Sequence, residues 1–393
     1  MKNLISTISF DAIESLELDS SIKELVISRL KQIGLPSAKM EHFRYFPIVP
    51  ILSKEYQSYK EPDSKIEVGD EIKIIDGVIK EAPEFVNLEK NRVEYISKTH
   101  YDPIYYISHL LTDNVIKIVV KEDMSLKIKN YFKHSNIFST YRIVLEVKEG
   151  VKLSLDEEFF SEEIDSSLSF MGMDIILDKG AKLVYVKDQI QDEKSLSILS
   201  SSSILLKEDA KMDLFSFDFG SSRSLNIYNI DLSKRSELGL HHLLYTNKSG
   251  VRGNILEVNH NQEMAKTTQN ARHILNDSSK AIFDAIIRVN EGGKYAQTHQ
   301  NNRSILLQDG AYMISKPQLE IYIDELEASH GSTTGEIDEE QVFYLQSRGI
   351  KKEDAKKMLI YAFAKDLIEK VEDEEIQNRI IDKFDKVYSG GRV

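Results

Sequence analysis

The alternation of apolar and polar positions changes period twice along this chain. Near the start, "SSIKELVISRLKQIGLP" puts Ile22, Leu25, Val26, Leu30 and Ile33 at the three- and four-residue spacing of one helix face, and Gly34 with Pro36 ends the segment. From about 50 to 112 the pattern is charged, tyrosine-bearing and weakly periodic, which predicts loops and short strands. From about 115 to 327 the period drops toward two and a phrase recurs: "LEVKEGVKLSL", "IILDKGAKLVYV", "ILLKEDAKMDLF", "IDLSKRSELGLHHL", "LEVNHNQEMAKT". Most of these join two strand-like runs through a polar turn, at Gly150, Gly180, Asp209, Arg235 and Asn261, with intervals of 26 to 30 residues. Near-periodic strand-turn-strand units predict a β-solenoid, in which each coil buries its inner face only by stacking on its neighbours. A β-sandwich would also give short strands, but it has no reason to repeat one turn phrase at one interval.

After Gly335 the helical period returns. Asp338 with Gln341 has the spacing of a capping box, "EEQVFYLQSR" reads as a short helix, and Gly349 is its stop. In "KKEDAKKMLIYAFAKDLIEKVEDEE" the residues Ala355, Met358, Leu359, Ala362, Phe363, Leu367 and Val371 form one stripe, and Ile376, Ile380, Ile381 and Phe384 continue the theme. The expected architecture is mainly β: a helical and linker region at 1–114, a solenoid core at 115–335 and a C-terminal helical domain at 336–393. The serines at 200 to 203 and the pair Asn301 and Asn302 suit either stacked and corner positions or a solvated loop. Pro317 stands alone between Pro103 and the end, as expected where most strands are central and need their amide donors.

Composition narrows the function. With 64 acidic against 51 basic residues the formal charge is −13, which argues against nonspecific binding to nucleic acid or an anionic membrane surface. The chain has no cysteine, so it supplies no disulfide, thiolate ligand or thiol nucleophile. The first residues, with Asp11, Glu14, Glu17 and Asp19, do not read as a secretory signal, and no apolar run reaches the ~18 residues of a membrane span; the cytoplasm is the expected location.

A search for local catalytic signatures is mostly empty. "EGGKYAQT" lacks the first glycine and the hydroxyl of a phosphate-binding loop, so no nucleotide is expected on this chain. Histidines at 134, 241, 242, 260, 273, 299 and 330 form no metal-finger spacing, and adjacent His241 and His242 should point to opposite faces of a strand. Acid pairs such as Glu157 with Glu158, or Glu336 with Asp338, read as surface before they read as catalysts. A carbohydrate-active solenoid enzyme stays open as a competing class, although it would normally bring an export signal and a cleft of paired carboxylates or a bound metal.

Residues 298 to 350 are more specific. The run Lys316 to Tyr322 ("KPQLEIY"), the expected turn Ser329 to Thr333 ("SHGST"), the acidic cap Asp338 to Glu340, and Phe343 to Ile350 ("FYLQSRGI") resemble the SufD family of iron-sulfur cluster assembly proteins. "MLIYAFAKDLIEKV" is similar to that family's last helix. "LPSAKMEHFRYFPI" at 35 to 48 is similar to its N-terminal motif, with Phe43 where tryptophan is usual. The resemblance spans the chain. Gly331 after His330, and the lack of cysteine, separate it from the related SufB scaffolds.

The resemblance implies a right-handed parallel β-helix flanked by N- and C-terminal helical parts. It implies edge-to-edge pairing with a SufB-like scaffold and docking of a SufC-like ATPase on the C-terminal helices, through Phe343, Tyr344, Arg348, Ala355, Met358, Leu359, Ala362 and Phe363. A homodimer serving iron delivery is the alternative assembly, and docking of the stripe on the chain's own solenoid is the alternative for that surface. The resemblance also implies that His330 is a ligand of a transient iron-sulfur cluster at the partner interface. Ala328 occupies the position where relatives often carry a cysteine. Flavin has been linked to such complexes, but nothing in this sequence specifies a flavin site.

Overall fold

The computed structural model describes residues 9–15, 19–59, 66–161, 164–190 and 196–389. Its body is a parallel β-solenoid of about seven coils. Each strand alternates inward and outward side chains, and each coil crosses from one sheet to the other. One sheet runs, in spatial order, from Tyr312–Ile321 through Lys280–Val289, Val251–His260, Arg223–Leu232 and Ser197–Leu206 to Asn114–Val120 and Val86–Lys90. The other runs from Glu327–Gly335 through Gln297–Leu306, Lys266–Leu275, Glu237–Thr246 and Lys211–Gly220 to Met124–Phe132 and the hairpin Ile72–Ile75 with Val78–Ala82. Neighbouring strands of the central coils stay in register over ten residues, so each inward side chain stacks on its counterpart one coil earlier.

A left-handed turn residue recurs once per coil. Gly150, Gly180, Asp209, Arg235, Met264 and Tyr295 all have φ between 55° and 72°. Each donates its N–H to a carbonyl of the next coil, as Gly180 does to Glu208 at 3.0 Å and Met264 to Lys294 at 2.8 Å. Four of the five expected turns fall on this column. The fifth is at Met264 rather than Asn261, because the strand before it ends at His260 and the next begins only at Lys266, which lengthens the turn.

Three apolar layers hold the fold. The lumen is filled by stacked residues such as Leu126, Leu155, Ile175, Leu214 and Ile230. Outside one sheet lies an N-terminal helical layer. In it the predicted helix Ser20–Ile33 is capped by Asp19 and ends at Gly34, and Val26, Leu30 and Phe43 pack toward Phe170, Leu199 and Leu225. The segment expected to be loops and short strands also contains a helix, Pro103–Leu111. Asp102 caps it, accepting from the amides of Ile104 and Tyr105, and all but Leu111 of its residues are buried. The helix is only nine residues long, and its polar members Ser108 and His109 are themselves buried, so it shows no solvent face to mark it.

Outside the other sheet pack the helices Lys352–Ile368 and Glu374–Tyr388. Ile360, Ala364, Leu367, Ile380 and Phe384 close over Phe215, Phe217, Phe219, Leu243 and Tyr245. Full burial of each isoleucine, leucine or phenylalanine among them is worth about 1.5–3 kcal/mol. Arg379 holds Asp156 through two hydrogen bonds of 2.6 and 2.8 Å, and Lys383 joins Glu158 at 3.0 Å and Asp188 at 2.7 Å.

The expected single stripe is therefore split. Leu367 and Val371 face the body together with Ile360, Ala364 and Ile368, while Met358 and Ala362 face out. Ser200 and Ser202 line the lumen within a buried strand, so the serine run is stacked rather than a loop.

Candidate functional site

The two sheets end differently at the two extremes of the solenoid. At the first coils, Val86–Lys90 lies antiparallel on Asn114–Val120, and the antiparallel hairpin of Ile72–Ile75 and Val78–Ala82 pairs with Met124–Phe132. At the last coil, Tyr312–Ile321 and Glu327–Gly335 each have a strand partner on one side only. Tyr312 and Tyr322 donate to Ser279 and Val289, so even-numbered amides of that strand face inward to the sheet and odd-numbered ones face the free edge. Pro317 lies in the free set, where its missing N–H removes no internal bond. In the last strand Glu327 donates to Ala296 at 2.9 Å, so the amides of Ala328, His330, Ser332 and Thr334 face the free edge.

The segment 329–333, expected as a turn, is part of that last strand. His330 is in register with Gln300, and Gln300 with Gln269. It therefore occupies a lumen-facing position of a coil with nothing stacked beyond it, and it is exposed while Gln300 beneath it is buried. Gln300 donates its Nε2 to Gln269 Oε1 at 2.8 Å and to the Ala285 carbonyl at 3.2 Å. Beside this column Asn302 donates to Ser315 Oγ, which lies 2.9 Å from Ser332 Oγ and closes the mouth with small polar groups. On the outer face of the same strand, Ser329 Oγ is 2.9 Å from His299 Nδ1. Tyr312, Ile321 and Tyr322 are exposed around the end. Among the described residues no group of three or more His, Asp or Glu could hold a metal.

The two segments that carried the resemblance meet here. Lys316 in the last coil donates to Glu41 Oε1 at 3.0 Å, and its ammonium sits 5.7 Å from the Tyr45 ring. The hydrogen bond from Lys316 and the charge behind it hold the Glu41 carboxyl below its usual range. Fully buried Phe43, in the tryptophan position of the N-terminal motif, anchors that segment in the helical layer. Sequence reasoning missed this contact because 275 residues separate its partners.

Of the remaining histidines, His241 stacks on Phe215 at 4.7 Å beneath the C-terminal helices, and His242 faces the lumen beside Asn254, on opposite faces as expected. His134 binds Asp76 at 2.6 Å and His260 binds Thr267 at 2.8 Å. The acid pair Glu157 and Glu158 is not surface: Glu157 lies in the lumen bonded to Tyr185 and Asn130, and Glu158 pairs with Lys383.

The helix Glu339–Ser347, capped by Asp338, presents an aromatic surface. Phe343 is 71 % exposed, Tyr344 57 % and Met358 on the next helix 50 %. Arg348 lies over the Tyr344 ring at 5.3 Å, Ala362 is exposed, and Leu359 lines with Tyr344 and Leu345 a groove of about 330 Å³ whose rim carries Asp338 and Glu340. Two expected members of this surface lie elsewhere. Ala355 is fully buried, and Phe363 turns toward the body, its ring under the Arg272 guanidinium at 5.5 Å. The apolar residues of this helix lie on two faces, and a pattern of spacing alone merges them.

No helix among the described residues is long and apolar enough to cross a membrane. The family model for the SUF system FeS cluster assembly SufBD core domain matches residues 130–363. The chain is 26 % identical, over 93 % of its length and 92 % of the relative's, to the iron-sulfur cluster assembly protein SufD of Escherichia coli. It is 42 % identical over 77 residues, 19 % of this chain and 20 % of the other, to an iron-sulfur cluster assembly SufBD family protein of Mycobacterium leprae. A chloroplastic protein of Arabidopsis thaliana matches over 74 residues at 39 % identity, covering 19 % of this chain and 16 % of that one. The chain belongs to the SufBD family, as a SufD-type iron-sulfur cluster assembly protein.

Proposed function

We propose that this chain is a noncatalytic scaffold subunit that pairs, through its open end, with a SufB-like solenoid and helps to hold a nascent iron-sulfur cluster at the junction. The observation that carries this reading is the contrast between a first end capped by antiparallel strands, which leaves edge strands of only five and two residues, and a last coil with free edges of ten and nine residues and an exposed histidine in one of them. An edge strand of nine residues without proline or lysine is a template for another strand unless a partner covers it. The cluster is the cargo. His330 offers it one neutral imidazole ligand, and the partner supplies thiolates that this cysteine-free chain lacks. A histidine in place of a thiolate makes the bound cluster less negative, which suits a site that must release its product.

The exposed Phe343, Tyr344 and Met358, with the groove beside Leu359, form the surface for a SufC-like ATPase. The acidic rim favours a partner segment with basic residues. Hydrolysis on that partner would shift the relative position of the two scaffolds by binding one arrangement better than the other.

The test is anaerobic purification of the tagged chain from its own cells, with native mass, iron and acid-labile sulfide measured on one sample. Recovery of an ATPase and a cysteine-bearing solenoid with iron and sulfide supports the reading, and His330→Ala should then lower the iron while leaving the complex intact. A chain recovered alone or self-paired, free of both elements, rejects it.

A further inference from the structure

Charged side chains stack in columns along the outside of the solenoid, and three interior carboxylates are gripped from both sides. Asp178 takes Lys148 of the coil before it at 3.6 Å and Lys207 of the coil after it at 2.7 Å. Glu208 takes Lys179 at 3.2 Å and Arg235 at 2.6 Å. Glu237 takes Lys211 at 2.9 Å and Lys266 at 3.9 Å. Along the turns, the residue before each left-handed position reads Lys179, Glu208, Lys234, Glu263, Lys294 and then, in the last coil, Glu325, so the sign changes at every coil.

At the open end three such columns stop on an acid. Glu320, on one free strand, ends the column Asp231, Asn259, Arg288 and meets Arg288 at 2.7 Å. Glu327, on the other free strand, ends the column Lys211, Glu237, Lys266, Gln297, and its side chain has only the neutral amide of Gln297, at 3.4 Å. Glu325, in the turn between them, meets Lys294 at 3.6 Å. Each of these partners lies in the coil beneath. On the far side, where Asp178, Glu208 and Glu237 find their second cation, the stack has ended. The last coil, residues 312–336, carries five acidic side chains and one lysine, Lys316, which Glu41 already holds. Residues 280–306 of the coil before it carry two acidic and four basic side chains, so the acidic excess begins where the stack ends.

We propose that the surface covering this end is basic: the partner's strands and turn present lysine or arginine across from Glu320, Glu325 and Glu327, closing the brackets that the last coil leaves half made. The inference rests on the open end being the pairing surface and adds the chemistry of what pairs there. Side chains directly opposite on paired strands stand about 4.5–5.5 Å apart at Cβ, so opposite charges attract and like charges repel. By the same rule a second copy of this chain is a poor occupant, since it would bring an acidic last coil against an acidic last coil. The free amides fix where a strand can add, and the three acids select which strand adds.

The test mixes the full chain with a copy of itself whose end charge is reversed by Glu320→Lys, Glu325→Lys and Glu327→Lys, and follows association by sedimentation equilibrium at low and high salt. At low salt the mixture should form a one-to-one pair at least roughly ten-fold tighter than the unaltered chain forms with itself, and the advantage should shrink as salt screens the charges. A second variant, Glu320→Gln with Glu325→Gln and Glu327→Gln, keeps the shape and puts no lysine beside Arg288 or Lys294, so it serves if the first does not fold. It should pair with itself more tightly than the unaltered chain does at low salt. In the complex recovered from the chain's own cells, the glutamine variant should hold its solenoid partner about ten-fold more weakly at low salt, with a smaller loss as salt rises. A mixture that does not pair at low salt, or pairs no better than the unaltered chain with itself, overturns the proposal. A native complex indifferent to both salt and the glutamine substitutions overturns it too, while leaving the scaffold reading in place. Recovery of no partner rejects the scaffold reading, and the mixing experiment still decides whether charge governs what this end accepts.

Discussion

The two ends of the solenoid follow opposite rules. At the first, antiparallel strands cover both sheets and Ile74, Leu126, Ile128 and Leu155 fill the lumen. At the last, both sheets finish on long free strands of ten and nine residues, against five and two at the first end, and the lumen shows Gln300, Asn302 and Ser304 beneath an exposed histidine. Both ends are built from the same coil, so the difference is one of side chains. A solenoid needs only stacked, inward apolar residues to be stable. Where it departs from them in the same register, stability is not the reason for the residue.

The largest effect expected from this contrast is on folding. Leu155→Asn, in the lumen at the covered end, should cost about 3–5 kcal/mol through lost apolar burial and an unpaired amide. Gln300→Leu, at the same position three coils from Leu214 toward the mouth, should change stability by only about 1 kcal/mol, the value of a typical hydrogen bond. Urea unfolding of both variants measures the difference. Equal costs would break the comparison.

Association comes next. Ser332→Pro removes an amide that faces the free edge, so the ladder to the neighbouring strand survives and the chain should fold. Pairing with another solenoid should weaken by about five-fold, since the one edge hydrogen bond lost is worth about 1 kcal/mol. Thr333→Pro, one residue on, instead removes an amide used inside the sheet and should destabilise the chain itself. Copurification and unfolding of the two variants together locate the interface: if Ser332→Pro leaves association intact, the free edge is not where the partner binds.

A third prediction concerns pH. His273 is fully buried in the lumen, its ring 5.4 Å from that of His242 and its Nδ1 3.4 Å from Ser304 Oγ. Burial first, then the neighbouring His242, hold it well below the usual histidine range. The unfolded chain takes up its proton near pH 6.5, whereas the folded chain refuses it until far lower. The stability that neutral His273 contributes is therefore complete above pH 6.5 and lost as pH falls from there. His273→Gln should flatten the fall in unfolding free energy between pH 6.5 and 5 by about 1.4 kcal/mol per pH unit. An unchanged slope would mean that the proton reaches the ring in the folded state.

Most of the architecture was legible because a solenoid repeats its signal. One turn phrase at a near-constant interval predicted the coils, and the cap at Asp338 with the stop at Gly349 predicted the helix between them. What escaped did so for physical reasons. The helix Pro103–Leu111 is short and buried all round, polar Ser108 and His109 included, so no solvent face marks it, although Asp102 with Pro103 was a start signal. The 329–333 segment is rich in small polar residues because it forms an edge and a mouth, and that composition reads as a turn. The clasp of Glu41 on Lys316 and the polar lumen depend on which residues meet across coils, which spacing along one chain does not reveal. His330 was singled out by resemblance alone; the structure adds that it ends an inward column.

The smallest predicted effect lies in the turn column. Toward the covered end the left-handed position is taken by Gly150 and Gly180, and from there to the mouth by Asp209, Arg235, Met264 and Tyr295. A side chain in that conformation costs roughly 1–2 kcal/mol, part of which glycine returns as unfolded-state entropy. Met264→Gly should therefore stabilise the isolated chain by about 0.5–1 kcal/mol. Arg235→Gly should gain less or nothing, because Arg235 binds Asp209 at 2.7 and 2.8 Å and Glu208 at 2.6 Å. Urea midpoints of the two variants measure this. Met264 and Tyr295 are both exposed and find no such ion pair to offset the strain. If Met264→Gly gives the expected gain, the methionine is retained for a contact the isolated chain does not make, and the same variant should then bind its partner more weakly. If it gives none, the turn column relaxes around its side chains, and the difference between the ends is confined to the edges and the lumen.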